Sequence, residues 1–245
     1  YADDTATASP KGPLSVARSY LAASSSRANA IPLKGPGNLE VSVSLGAFSR
    51  NFGPQGTDFG YFGGGQPGTV STVDRIDYSN DTATAVAKGP LSVGRYGYGA
   101  TSNASSGYFG GGSAPSAVST VDRVDYSNDT ATAVAKGPLS AARRYLAATG
   151  NASFGYFGGG YTPSPDSSTV DRIDYTNDTA DSLVKGPLSA AKLGIAATGN
   201  ASFGYFGGGG PAPSPLTTVD RIDYSNDTAT AVAKGPLSVG RRYFA

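Results

Sequence analysis

Four copies of an Asp-Arg-x-Asp string carry the sharpest polar signal in the chain: Asp74, Arg75 and Asp77; Asp122, Arg123 and Asp125; Asp171, Arg172 and Asp174; Asp220, Arg221 and Asp223. Two carboxylates flanking a guanidinium can do one of two things. Set around a molecule, they could form a ring of carboxylates that holds Ca²⁺ or a glycan. Alternatively, each Arg could bridge Asp groups within or between repeats, because a buried charge requires a partner. Recurrence in every repeat favours the structural reading, so these residues are expected to form structural ion pairs, with no metal and no other cofactor.

Catalysis has little to work with. Acid–base cleavage of a polysaccharide needs one carboxyl set apart from another by its surroundings. Near-identical repeats offer no such asymmetry, and Glu40 is the only glutamate. Cys, His, Met and Trp are all absent. That removes thiol chemistry, imidazole bases, thiolate or imidazole metal sites, and disulfides. A non-enzymatic protein is expected, and an enzyme acting on polysaccharide ranks last among the readings.

The elements that must hold these residues follow from the repeat. GYFGGG ends at Gly65, Gly112, Gly160 and Gly209, and a near-copy of STVDRIDYSNDTATAVAKGPLS follows each time. The corresponding tyrosines Tyr61, Tyr108, Tyr156 and Tyr205 lie 47, 48 and 49 residues apart, a period typical of propeller blades and solenoid units. Within one copy, Gly107 to Gly112 reads as an aromatic inner strand that ends where φ turns positive or two backbones approach closely. Ser119 to Tyr126 alternates as a half-buried strand does, with Thr120, Asp122, Val124 and Tyr126 on one face and Val121, Arg123 and Asp125 on the other. Ser127-Asn128-Asp129 supplies turn chemistry, and Thr130 to Val134 reads as the returning strand. Lys136-Gly137-Pro138 is expected to break it. Tyr145 to Ala148 reads as a short fourth strand before Gly150-Asn151. Four short strands without helical periodicity make a small antiparallel sheet.

These residues resemble the kelch repeat. Gly111-Gly112 would correspond to its diglycine, Tyr126 to its tyrosine and Arg143 to the arginine near the repeat end, over most of the chain from Asp58 onward. The tryptophan usual after the kelch turn is missing, and small residues at Ala131 to Ala133 occupy that stretch, so packing between blades must differ there. The wording of the repeats is also similar to kelch-like proteins of marine cyanophages and marine bacteria. The resemblance implies an all-β, kelch-like β-propeller of about five repeats of ~48 residues, each four-stranded and one irregular. The copper chemistry known on the kelch scaffold needs a Cys-modified Tyr and His ligands, and the chain has neither.

The frame does not close simply. Tyr1 to Ser15 matches Tyr78 to Ser92, so residues 1–24 read as a partial repeat, 25–57 as a divergent segment with one strand (Asn38 to Phe48), and 58–245 as four repeats of one propeller domain. Two arrangements stay open: a five-unit propeller with one irregular blade, or four full blades plus half-units that pair with further chain or a neighbouring subunit. Exposed half-units are edges that seek partners. Tyr1 falls mid-repeat and no initiator Met is present, so the residues read as a processed form or a piece of something longer.

Partners follow from composition and loops. Nineteen basic residues against 18 acidic, with no Lys/Arg cluster, argue against nucleic acid. No apolar run approaches the roughly 20 residues of a membrane-spanning helix, so no membrane insertion is expected. The loops that vary between copies, Gln66 to Val70, Ser113 to Val118, Tyr161 to Ser168 and Gly210 to Leu216, are where specificity would reside. Gln66, Ser113, Tyr161, Asp166 and Leu216 are their candidate ligand-binding residues, and Tyr161 could stack on a sugar, as could Tyr96 and Tyr98. Seven Asn-x-Ser/Thr sequons all fall at expected turns, where Asn is favoured on backbone grounds alone. The leading expectation is a structural or adhesion module of a virion appendage or cell surface, which binds a host glycan or another virion or surface protein. A self-assembling extracellular filament or surface-layer subunit, partnered by copies of itself and binding no ligand, is the alternative.

Overall fold

A computed structural model of the chain describes residues 10–25, 59–163, 166–210 and 214–243. The described residues form four antiparallel sheets of four strands each. The first comprises β1 (Ala22–Ser25), β2 (Phe59–Gly63), β3 (Val73–Asp77) and β4 (Val86–Lys88). The second comprises β5 (Gly99–Ser102), β6 (Ser106–Gly110), β7 (Val121–Asp125) and β8 (Val134–Lys136). The third comprises β9 (Ala147–Gly150), β10 (Phe154–Gly158), β11 (Val170–Asp174) and β12 (Leu183–Lys185). The fourth comprises β13 (Ala196–Gly199), β14 (Phe203–Gly207), β15 (Val219–Asp223) and β16 (Val232–Lys234). The expected strand from Asn38 to Phe48 lies outside the described residues.

Strands follow chain order in every sheet, and register repeats: Tyr61 faces Arg75, Tyr108 faces Arg123, Tyr156 faces Arg172 and Tyr205 faces Arg221. The first strands β1, β5, β9 and β13 pack in succession. Between neighbouring sheets lie three apolar clusters, built on Tyr61 and Phe109, on Tyr108 and Phe157, and on Tyr156 and Phe206. Each Phe rests against a glycine of the sheet before it. A Cβ on Gly63 would meet Phe109 at 3.2 Å, one on Gly110 would meet Phe157 at 2.6 Å, and one on Gly158 would meet Phe206 at 2.7 Å. The second glycine of the aromatic strand is therefore a packing requirement between sheets.

The returning strand sits further along than the sequence suggests. The Asp125 carboxylate accepts from the Ser127 N–H at 2.9 Å and caps a 3-10 turn over Tyr126–Asn128. A further turn, Ala131 N–H to the Asn128 carbonyl, uses up the residues expected to begin the strand. The strand thus starts at Val134 and includes Lys136. The fourth expected strand is displaced in the same sense, from 145–148 to Ala147–Gly150, because Tyr145 has a left-handed backbone (φ 59°) that cannot extend. The strand nearest the start of each sheet comes from the tail of the preceding sequence repeat, so repeats and sheets are out of phase and each sheet is sewn to the next.

The triple glycines end the aromatic strands as the sequence requires. Gly111 and Gly112 have φ of 74° and 101°, and Cβ atoms there would lie 2.7 Å from the Arg143 carbonyl and 2.9 Å from the Tyr96 carbonyl. Left-handed geometry and close backbone approach both demand glycine. No described helix is long and apolar enough to cross a membrane.

Candidate functional site

The three charged residues of each Asp-Arg-x-Asp string go to three different places. The first Asp is fully buried and pairs with a cation from the segment leading into its own sheet: Asp74 with Arg18, Asp122 with Arg95 at 2.8 Å, Asp171 with Arg143 at 2.7 Å, and Asp220 with Lys192 at 2.9 Å. Serine hydroxyls from the same segments donate to three of them, Ser15 to Asp74, Ser92 to Asp122 and Ser189 to Asp220. The last Asp (Asp77, Asp125, Asp174, Asp223) accepts from the hydroxyl and N–H of the residue two further on. Those hydrogen bonds, the hydroxyl's first for Asp77, hold the four carboxyls below their ordinary range.

The middle Arg reaches into the next sheet. Arg75 meets Asp129, Arg123 meets Asp178 and Arg172 meets Asp227, each at 2.8 Å. Each of these aspartates gathers two more donors from the preceding sheet. On Asp129 they are the Tyr61 hydroxyl at 3.1 Å and the Lys88 ammonium at 3.2 Å. Tyr108 and Lys136 repeat this on Asp178, as do Tyr156 and Lys185 on Asp227. The backbone closes the contact: Gly89 N–H donates to the Asp129 carbonyl at 2.8 Å and Ala133 N–H to the Pro90 carbonyl at 2.8 Å. Above it Tyr61 stacks on Tyr126 with centroids 4.7 Å apart.

This Tyr-x-x-Asp turn is a latch between sheets, present at all three interfaces. Burial first, and then the facing aspartate, pushes the Tyr61, Tyr108 and Tyr156 phenols above their usual range. For Asp227 burial acts to raise the carboxyl, but Lys185, Tyr156 and Arg172 together outweigh it and hold the group low. Asp129, Asp178 and Asp227 read in the sequence only as turn residues. Their one available signal was the invariance of YSND or YTND beside strands that supply Tyr, Arg and Lys.

A second concentration of side chains lies at one end of the sheets. Tyr20, Gly97, Tyr145 and Gly194 stand two residues before β1, β5, β9 and β13, Tyr243 lies beyond the last described strand, and all five have left-handed φ between 52° and 66°. Their backbones form a ladder in which each N–H donates to the previous carbonyl: Gly97 to Tyr20, Tyr145 to Gly97, Gly194 to Tyr145, Tyr243 to Gly194. Tyr20 contacts both Tyr145 and Tyr243 at 6.1 Å between centroids, and Tyr145 contacts Tyr243 at 5.2 Å. A straight ladder would place the first ring far from the last, so the positions converge on an axis. The alternation of Tyr and Gly has a steric cause: a Cβ on Gly97 would lie 2.8 Å from the Tyr145 ring, and one on Gly194 would lie 2.9 Å from that of Tyr243.

Tyr20 and Tyr243 remain 45% and 43% exposed, and Tyr96 joins the cluster 6.3 Å from Tyr20. With Ala100, Ala148 and Ala197, the axial tyrosines line a cavity of ≈ 850 Å³. Burial, followed by the proximity of Tyr96, raises the Tyr145 phenol.

The variable loops rise beside this cluster. Ser19 pairs with Gln66, Tyr96 with Ser113 and Arg144 with Tyr161, each loop root standing next to an axial position. In the fourth sheet Gly210 N–H donates to the Leu193 carbonyl in the same way. Tyr161 is half-buried, and the Arg144 guanidinium sits 5.2 Å from its ring and 5.3 Å from that of Tyr145. Gln66, Asp166 and Leu216 are also half-buried, and Asp166 pairs with Tyr161 across the loop base. Ser113 is fully buried, its hydroxyl donating to the Pro115 carbonyl at 2.8 Å, and so shapes its loop from inside. Tyr98 is buried beneath this end, 6.1 Å from Phe109. Sequence reasoning missed Tyr20, Tyr145 and Tyr243, whose signal was an Arg-x-Tyr spacing at 18–20, 143–145 and 241–243.

Among the described residues, no three His, Cys, Asp or Glu side chains gather where they could hold a metal ion. What the tyrosine end offers instead is flat aromatic surface, guanidinium groups and loops of differing length on a common frame. No protein-family model matches the chain, and no curated protein is similar to it.

Proposed function

We propose that the chain is a kelch-like β-propeller that catalyses no reaction and serves as an adhesion module, with the tyrosine end and its four variable loops as the binding face. A glycan of a host cell surface is the ligand class this face suits, and a virion appendage or a cell surface is where such a module would work. The observation that carries the reading is the cluster of exposed Tyr20 and Tyr243 with half-buried Tyr96 and Tyr145, bordered by loops that differ between otherwise near-identical repeats. Aromatic faces pack against the apolar faces of sugar rings, and the Arg144 guanidinium beside Tyr161 adds hydrogen-bond donors. The latches supply the rigid frame on which such loops can vary without loss of fold.

A glycan microarray probed with the whole chain tests this. Binding to a defined set of glycans is expected, with at least a ten-fold loss of affinity for Tyr161→Ala and for Tyr20→Ala at unchanged melting temperature. Absence of binding to any glycan, or binding indifferent to both substitutions, would overturn it. A second reading, an assembly subunit that binds no ligand, is favoured by one observation: Val232 to Lys234 on the last strand is exposed throughout. A defined oligomer in sedimentation, together with a silent array, would establish that reading instead.

A further inference from the structure

The residue immediately before each axial position is where the tyrosine end departs from its own repetition: Ser19, Tyr96, Arg144, Leu193 and Arg242 occupy it. The first four each hold the root of one variable loop through the backbone. One residue earlier the chain keeps a cation throughout, Arg18, Arg95, Arg143, Lys192 and Arg241, and the side chains of the first four are buried on Asp74, Asp122, Asp171 and Asp220. The position that serves packing is thus kept from sheet to sheet. Its neighbour changes between hydroxyl, phenol, guanidinium and isobutyl on an unchanged frame, which is the pattern of a position that selects a ligand.

Two of these five side chains are guanidiniums. Arg144 lies 5.3 Å from the Tyr145 ring and 5.2 Å from that of Tyr161, and Arg242 lies 5.3 Å from the Tyr243 ring. With Tyr145 and Tyr243 5.2 Å apart, the two cations flank one aromatic contact. Among the described residues neither forms an ion pair, whereas the latches and the buried pairs match their cations to aspartates. Arg144 is half-buried, and its Nε–H is shut away from solvent without an acceptor. The four variable loops contain one acidic residue, Asp166, and it pairs with Tyr161 through the backbone alone. The far end of the sheets has the opposite charge, since Asp77, Asp125, Asp174 and Asp223 close β3, β7, β11 and β15 there. An anion is therefore drawn to the tyrosine end and turned away from the other.

We propose that the ligand of the tyrosine end is an anionic glycan, whose sugar ring packs on the exposed Tyr243 while its acidic group is taken by Arg144 and Arg242. A carboxylate and a sulfate ester share the chemistry required, two or more oxygens that accept from a planar fork of N–H donors. This inference rests on the reading of the tyrosine end as a glycan-binding face and adds the charge of the ligand.

An array that carries uronate, sialylated and sulfated glycans, each beside its carboxyl-reduced or desulfated counterpart, tests it with the whole chain. An acidic member is expected to bind roughly ten-fold or more tightly than its neutral counterpart, and the series in which it occurs names carboxylate or sulfate as the group recognised. Arg144→Gln and Arg242→Gln are each expected to remove about that preference at unchanged melting temperature, and Arg144→Lys, which keeps the charge and loses the fork, to remove less of it. Lys234→Gln deletes one exposed cation from the outermost strand of the fourth sheet and is expected to leave binding unaltered. Equal binding of acidic and neutral members would overturn the proposal and leave the adhesion reading standing, whereas silence across the array would overturn both. Binding of acidic glycans that is indifferent to Arg144 and Arg242, or that falls as far with Lys234→Gln, would refute recognition at the tyrosine end.

Discussion

Asp129 collects a phenol, a guanidinium and an ammonium from the neighbouring sheet while it is itself nearly buried. Removing its charge strands all three donors, and breaking a buried pair on one side costs about 3 kcal/mol. Asp129→Asn should therefore lower the unfolding free energy by that amount, whereas Asp125→Asn, at an exposed turn cap, should cost clearly less; equal effects in a urea titration would refute the latch. The buried phenols set a second expectation. Folding keeps Tyr61, Tyr108, Tyr156 and Tyr175 neutral and raises Tyr224 to about 12, so their stabilisation is complete below the free phenol value of about 10 and is lost as pH rises through the folded values. Phenolate absorbance should therefore show a late group of tyrosines that ionise together with loss of circular dichroism. Ionisation of all fifteen in one step near 10 without unfolding would contradict it. At this scale the sequence leads one to expect ion pairs from all of Asp-Arg-x-Asp; the first Asp of each string and the Arg of three form them, whereas Asp77, Asp125, Asp174 and Asp223 cap turns through hydrogen bonds instead. The sequence concealed the division of labour, because Arg75 and its partner Asp129 lie 54 residues apart, and spacing along one repeat says nothing about a contact across two.

Elements are specified more locally and were correspondingly easier to read. The Tyr-Phe strand, the alternating Val-Asp-Arg strand and the glycine run appear where their patterns place them. The returning strand does not, because the side-chain cap at Asp125 extends the turn beyond what Asn-Asp propensity indicates. The glycine run gives the clearest element-level prediction. Gly111→Ala meets both an unfavourable left-handed φ and a carbonyl 2.7 Å away, so its cost should exceed the ~1–2 kcal/mol of the backbone conformation alone. Gly68→Ala isolates that backbone contribution, since φ is 71° there and nothing lies within 4 Å of the added carbon. Guanidinium denaturation of the two variants should rank Gly111→Ala as the more damaging, and the reverse order would mean that the strand exit is not closely packed.

At the scale of the molecule, the described residues are four sheets sewn to one another by strand exchange between repeats, by latches on one side and by a ladder of left-handed residues. The period of the repeat made a serial all-β architecture legible. The convergence of Tyr20, Tyr145 and Tyr243 was not, since alternating Tyr and Gly at equivalent positions acquires meaning only once the backbones curve around a common line. That convergence also decides what the molecule can present, because it places the exposed tyrosines and all four variable loops at the same end. A crystal structure of the chain is the most direct test of the radial arrangement. It should show the Tyr20, Tyr145 and Tyr243 rings in mutual contact, with centroids 5.2–6.1 Å apart and the loops surrounding them. Four sheets stacked in line, with Tyr20 and Tyr243 at opposite ends of the row, would contradict it.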